Sequence, residues 1–126
     1  MRNGLTIGSG RSLQFTVTET MVPNFDGAVI HPLCSTVTLV YYMEWASRKI
    51  IEPYLEDHEE GMGVEIEIKH MAAAAVGAEI AVEATVIALT ERAIYTQIIA
   101  KTGSKRIAAG KMKQSVLPRK VIEKLY

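Results

Sequence analysis

Three residues have the types needed to move a proton during bond cleavage: Thr36, Glu44 and His70. Glu44 lies in "CSTVTLVYYMEW" and is the only formally charged residue within 27–47. Its neighbours Met43 and Trp45 are bulky and apolar. A carboxylate buried among such groups loses hydration, which makes it a stronger base and suits it to general-base or nucleophilic work. The simpler account is an i,i+4 pair with Arg48 on a helix surface.

His70 closes the run "VEIEIKH". Strand alternation places Val64, Ile66, Ile68 and His70 on one face, with Glu65, Glu67 and Lys69 on the other. His70 should therefore face the layer that covers the sheet, either bonded to a backbone carbonyl or beside the glutamate. An imidazole and a carboxylate together would bias each other's protonation and shuttle a proton near neutral pH. Ser35 and Thr36 are helix-capping types. Their hydroxyls, with the N–H groups of a helix N-terminus, are also placed to orient a water or a carbonyl. In an unbroken helix, however, Thr36 and Glu44 lie about 12 Å apart along the axis. The site then needs a late helix start, a bridging substrate or groups from a second chain. Cys34 reads as a small buried apolar residue. His31 and His58 have no partner at metal-ligand spacing, and no phosphate-binding glycine loop is present.

These groups need elements to hold them. Residues 13–18 alternate and read as a strand. The segment "ETMVPNFDGAVIHP" (19–32) reads as an irregular connection able to act as a lid, with Asp26 as a turn residue and Phe25 as its one phenylalanine. A helix with Ser35 or Thr36 as its N-cap carries Leu39, Met43, Ala46 and Ile50 at helical spacing and kinks or stops near Pro53. Four strands then follow, joined by what read as short connections, so a meander is expected. Gly110 within the last strand marks a bend or a close approach. One helix on one antiparallel sheet is an α+β architecture with the outer sheet face solvated.

Composition bounds the partners. The 126 residues suit one domain, 1–126. Basic and acidic residues balance at 14 each, which gives no reason to expect nucleic acid or an anionic membrane, and a neutral chain is prone to defined self-association. One cysteine permits no internal disulfide, and no run is long and apolar enough for a membrane span or a signal peptide. These features predict a cytoplasmic protein.

Two blocks carry a family resemblance. They are "STVTLVYYMEWAS" and "GVEIEIKHMAAAAVGAEI", with Thr36 and Glu44 eight residues apart and Glu44 and His70 26 apart. The chain resembles the hot-dog-fold acyl-CoA thioesterases, particularly the group containing fluoroacetyl-CoA thioesterase. The resemblance implies one long central helix wrapped by a curved antiparallel five-stranded sheet. It implies Thr36, Glu44 and His70 as catalytic set and Gly63 near the substrate carbonyl. Two protomers would join edge to edge as a homodimer or dimer of dimers, with sites at the interface. The implied reaction is hydrolysis of an acyl-CoA with a short or compact acyl group, Glu44 acting as base or nucleophile, His70 transferring protons and Thr36 orienting. Ser35 and Phe25 would touch the substrate. Lys105, Arg106, Lys111 and Lys113 are candidates for CoA by charge. No metal and no cofactor beyond the substrate's own CoA is implied. A non-catalytic acyl-CoA or acyl-carrier binding module is the alternative.

Overall fold

The computed structural model describes Met1–Tyr126. Helix α1 spans Thr36–Ile51 and starts because Ser35 caps it: Ser35 is extended (φ −73°, ψ 152°) and its Oγ accepts from the Thr38 N–H at 3.1 Å. Leu39, Met43, Ala46, Ile50 and Ile51 form its buried stripe. Arg48 and Lys49 in the last turn complement the helix dipole. Pro53 ends the helix in a single 3-10 turn, Glu52–Tyr54.

The main sheet uses β1 (Gly10–Thr16), β4 (Glu59–His70), β5 (Glu79–Leu89), β6 (Ala93–Thr102) and β7 (Lys105–Pro118). Its order is β1-β5-β6-β7-β4, all antiparallel. Only β5, β6 and β7 form a meander. The expected four-strand meander fails because β4 pairs with β7 and not with β5. The connection 71–78 is no hairpin. Eight residues reach up to about 26 Å, more than the roughly 14 Å of three strand spacings. This connection crosses the end of the sheet, tied down by Met71 and Ala72 N–H groups on the Ile107 carbonyl and by Gly77 N–H on the Val17 carbonyl.

The inward alternation of β4 also breaks once. The register with β7 shifts between Gly63 and Glu65, so Val64 is the extra residue of a bulge and is 51% exposed instead of sharing a face with Ile66, Ile68 and His70. The bulge turns Gly63 toward α1. Further register shifts in β5–β6 and β6–β7 bend the sheet around α1, which contacts all five strands. Gly110 is a close approach: a Cβ there would overlap the Glu67 carbonyl and lie 3.2 Å from Met43 Cε.

The connection 19–32 is more ordered than expected. It contains a 3-10 turn (Glu19–Met21) and a small hairpin, β2 (Asn24–Phe25) with β3 (Ala28–Val29). Asp26 and Gly27 both adopt positive φ (55° and 85°), the requirement of a tight hairpin turn. A short, exposed helix α2 (Arg119–Glu123) follows β7. The whole is an α+β hot-dog arrangement, one long helix wrapped by a five-stranded antiparallel sheet, and β1 and β4 are its open edges.

Candidate active site

Thr36 begins α1 and His70 ends β4, and the fold brings them into contact: Thr36 Oγ1 and His70 Nδ1 lie 2.9 Å apart. The capped helix start fixes one partner. The other is held by the pairing of His70 with Ala108. Bonded through Nδ1, His70 leaves Nε2 for a second partner. The pair lines an open cleft of about 590 Å³, bordered by Val22, Pro23 and Phe25 of the 19–32 connection. Phe25 sits at its rim, 67% exposed, and Ser35 at its base. Cys34 also borders the cleft. Burial pushes its thiol pKa up, so it stays protonated and is a poor nucleophile. His31, which the motifs did not single out, lines the same cleft, and its Nδ1 accepts from the Leu33 N–H at 3.3 Å.

Glu44 lies elsewhere. It lines a second cleft of about 320 Å³ with Tyr41, Trp45, Arg48, Gly63 and Gln114. The bulge sets Gly63 against it: a Cβ at Gly63 would stand 3.2 Å from Glu44 Oε2 and 2.6 Å from Met112 Cε. Two expectations about Glu44 fail. In the single chain it is exposed, not buried, because it shares the outer face of α1 with Tyr41 and Trp45, themselves 61% and 43% exposed. Nor does it pair with Arg48. Arg48 turns instead to Glu60 and, at 3.5 Å, to Glu52, and leaves the Glu44 carboxylate without an ion pair.

The Arg48 cluster has its own consequence. Glu60 is held by Arg48 and, at 3.2 Å, by Arg119. The Arg48 hydrogen bond keeps the Glu60 carboxyl below the usual carboxylate range despite partial burial. Unfolded glutamate titrates near pH 4.3, roughly. The folded pKa is lower, so this contribution to stability is complete above that value and is lost as pH falls through the folded pKa. Glu60→Gln should therefore lower the melting temperature at neutral pH and reduce its further fall on acidification below about pH 4, measured by circular dichroism across a pH series. An unchanged acid limb would show that the pair does not govern it.

The four basic residues divide. Lys105 donates from Nζ to the Ala73 carbonyl at 2.8 Å, and Arg106 is exposed beside it, at the His70 end of the sheet. Lys111 and Lys113 pair across β4 with Glu67 and Glu65, and Lys113 Nζ lies 5.6 Å from the centre of the Tyr95 ring. Gln114 was missed entirely, although the alternation of Met112, Gln114 and Val116 into the core marks it as an inward polar residue. No helix is long and apolar enough to cross a membrane.

Thr36 with His70, and Glu44 with Gly63, thus lie in two separate clefts. Together they offer a hydroxyl–imidazole contact, a free carboxylate and two open clefts.

Comparison with known proteins gives a consistent set of matches. The family described as FlK: Fluoroacetyl-CoA-specific thioesterase matches residues 17–120. The Thermus thermophilus hypothetical protein TTHA0967, a thioesterase superfamily member, superimposes with a TM-score of 0.93 at 31% identity, covering 98% of this chain and 91% of that one. The fluoroacetyl-CoA thioesterase FlK superimposes with a TM-score of 0.89 at 25% identity, covering 98% and 96%. A hot-dog-like protein from Thermanaerovibrio acidaminovorans, at 19% identity and a TM-score of 0.87 over 94% and 87%, shares the fold. No curated protein sequence matches the chain.

Proposed function

The chain belongs to the fluoroacetyl-CoA-specific thioesterase family, whose members are thioester hydrolases, and from that premise we propose that it hydrolyses acyl-CoA thioesters with a compact acyl group as a homodimer. The observation that carries this is the contact of Thr36 Oγ1 with His70 Nδ1 in the cleft bordered by the 19–32 connection, with Glu44 free of any ion pair on the same helix.

The separation of the Thr36–His70 pair from Glu44 suggests that a second copy completes the site. β4 has one unpaired edge twelve residues long, with Val64 exposed at its bulge. An unpaired edge of this kind is satisfied by a second strand. If β4 pairs antiparallel with its own copy about an axis through Glu67, with Val64 left over in the bulge, Gly63 of one chain lies opposite His70 of the other. Glu44, which abuts Gly63, then meets the Thr36–His70 pair of the second copy and is covered by it.

In such a composite site the thioester carbonyl lies between Glu44 and His70. Glu44 either takes a proton from an attacking water or attacks the carbonyl carbon itself to give a mixed anhydride that water then opens. The carbonyl oxygen gains the negative charge and is stabilised by N–H donors beside Gly63 and at the start of α1. Collapse expels the CoA thiolate, which His70 protonates, while Thr36 holds the imidazole through Nδ1. The acyl group occupies the lid cleft between Ser35 and Phe25, and the phosphates of CoA meet Lys105 and Arg106.

The test is thiol release from an acyl-CoA series. Acetyl to butyryl esters should exceed octanoyl and longer ones in kcat/KM by about tenfold or more. Tight binding of CoA esters without thiol release from any of them would make the protein a binding module and overturn the proposal.

A further inference from the structure

The molecule buries only three polar side chains, Ser47, Thr96 and Gln114, and all three belong to one network. Ser47 Oγ and Thr96 Oγ1 lie 2.8 Å apart, and Gln114 Nε2 donates to the Ser47 backbone carbonyl at 3.1 Å. A carbonyl only accepts, so the nitrogen of the Gln114 amide must face Ser47. Its oxygen points the other way and has no donor within the chain. Yet no fully buried side-chain nitrogen or oxygen in the molecule lacks a partner. The Gln114 Oε1 atom therefore reaches solvent, and the cleft that Gln114 lines is that of Glu44. Apart from this opening the side chain is enclosed, with 2% exposure.

A buried carboxamide is costly unless its groups are bonded, and an apolar side chain would fill the position as well. The cross-strand partner of Gln114 is Gly63. Having no Cβ, Gly63 makes room for the Glu44 carboxylate and the Met112 methyl, since a Cβ there would stand 3.2 Å from Glu44 Oε2 and 2.6 Å from Met112 Cε, and it lines one cleft with both Gln114 and Glu44. Two acceptors, one carried by β7 and one by α1, thus open onto the same cleft, and a water molecule donates to two acceptors.

We propose that Gln114 holds the attacking water for Glu44. This rests on Glu44 being the base. One O–H of the water points to Glu44 and the other to Gln114 Oε1, which leaves an oxygen lone pair for the thioester carbon. As that C–O bond forms, the carbonyl π pair moves to its oxygen and Glu44 takes one proton. The second O–H stays donated to Gln114, which forms no covalent bond. The intermediate then expels the CoA thiolate. Gln114 touches the reacting water and so acts directly, while Ser47 and Thr96 position it.

The test uses the full chain and acetyl-CoA, with hydroxylamine as a competing nucleophile that needs no oriented water. Gln114→Met conserves volume and should lower kcat about 100-fold with KM little changed. It should also raise the ratio of hydroxamate to acid several-fold, which a loss of packing alone would not do. Gln114→Glu keeps an acceptor oxygen and, when protonated, a donor to Ser47. It should retain part of the turnover, and lose it as pH rises and the introduced carboxyl ionises beside Glu44. This second variant decides the matter if the first does not fold. Wild-type kcat and partitioning in Gln114→Met, or a Gln114→Glu pH profile identical to wild type, would overturn the role of Gln114 while an inactive Glu44→Gln protein left Glu44 in place. A fully active Glu44→Gln protein would instead overturn the base on which the proposal rests.

Discussion

Glu44→Gln is expected to lower kcat on a compact acyl-CoA by a factor of about 10² to 10⁴ with little change in melting temperature. Stability is spared because the Glu44 side chain forms no ion pair and is exposed in the single chain. A carboxamide has nearly the same shape and fits the space that Gly63 leaves beside it. Chemistry is not spared. An amide neither takes a proton from water nor attacks a thioester at neutral pH, so both the base route and the anhydride route stop. Thiol release, followed with a chromogenic disulfide, gives kcat, and circular dichroism gives the melting temperature. Wild-type turnover in a folded Glu44→Gln protein would remove Glu44 from the mechanism.

Glu44 also shows where sequence reasoning fell short. Its apolar neighbours suggest burial, but Tyr41 and Trp45 lie on the same open helix face. Hydrophobicity in one chain does not distinguish a core from a surface that another copy covers. Local features were legible. The Ser35 cap, the stripe of Leu39, Met43, Ala46 and Ile50, and the stop near Pro53 are all contained within one stretch of chain. The inward parity of His70 was likewise correct, since the three residues before it alternate without a break. Pairing over distance was not legible. That β4 lies beside β7 depends on a connection whose alanines carry no turn signal, and the bulge at Val64 is fixed by the register with β7. The hairpin of β2 and β3 does carry a local signal. Asp-Gly at 26–27 between short extended pairs is a tight-turn sequence. Gln114 was hidden by its ordinary polarity, and only its alternation with Met112 and Val116 reveals it.

Mixing two inactive proteins should restore activity. If each site combines Glu44 of one protomer with Thr36 and His70 of the other, Glu44→Gln and His70→Ala homodimers each contain only defective sites. In a heterodimer of the two, one site receives both substitutions and the other receives neither. Random exchange makes half of the dimers mixed, and half of their sites intact, so activity should rise to about a quarter of wild type under two-fold symmetry. Sites contained within one chain would give no recovery, since every chain would carry a defect. The distance argument favours the shared arrangement: Thr36 and Glu44 are about 12 Å apart along an unbroken helix, and they open into different clefts. Unfolding and refolding the two proteins together, then measuring thiol release against each refolded alone, gives the result directly. A basic residue at the bulge, Val64→Lys, gives the same conclusion by a second route. It sets a like charge beside Lys69 of the second copy and should convert dimer to monomer by light scattering, with loss of turnover in chains that keep Thr36, Glu44 and His70 intact. Full activity in that monomer would place the whole site within one chain, and the lid cleft and the Glu44 cleft would then have to be bridged by the substrate itself.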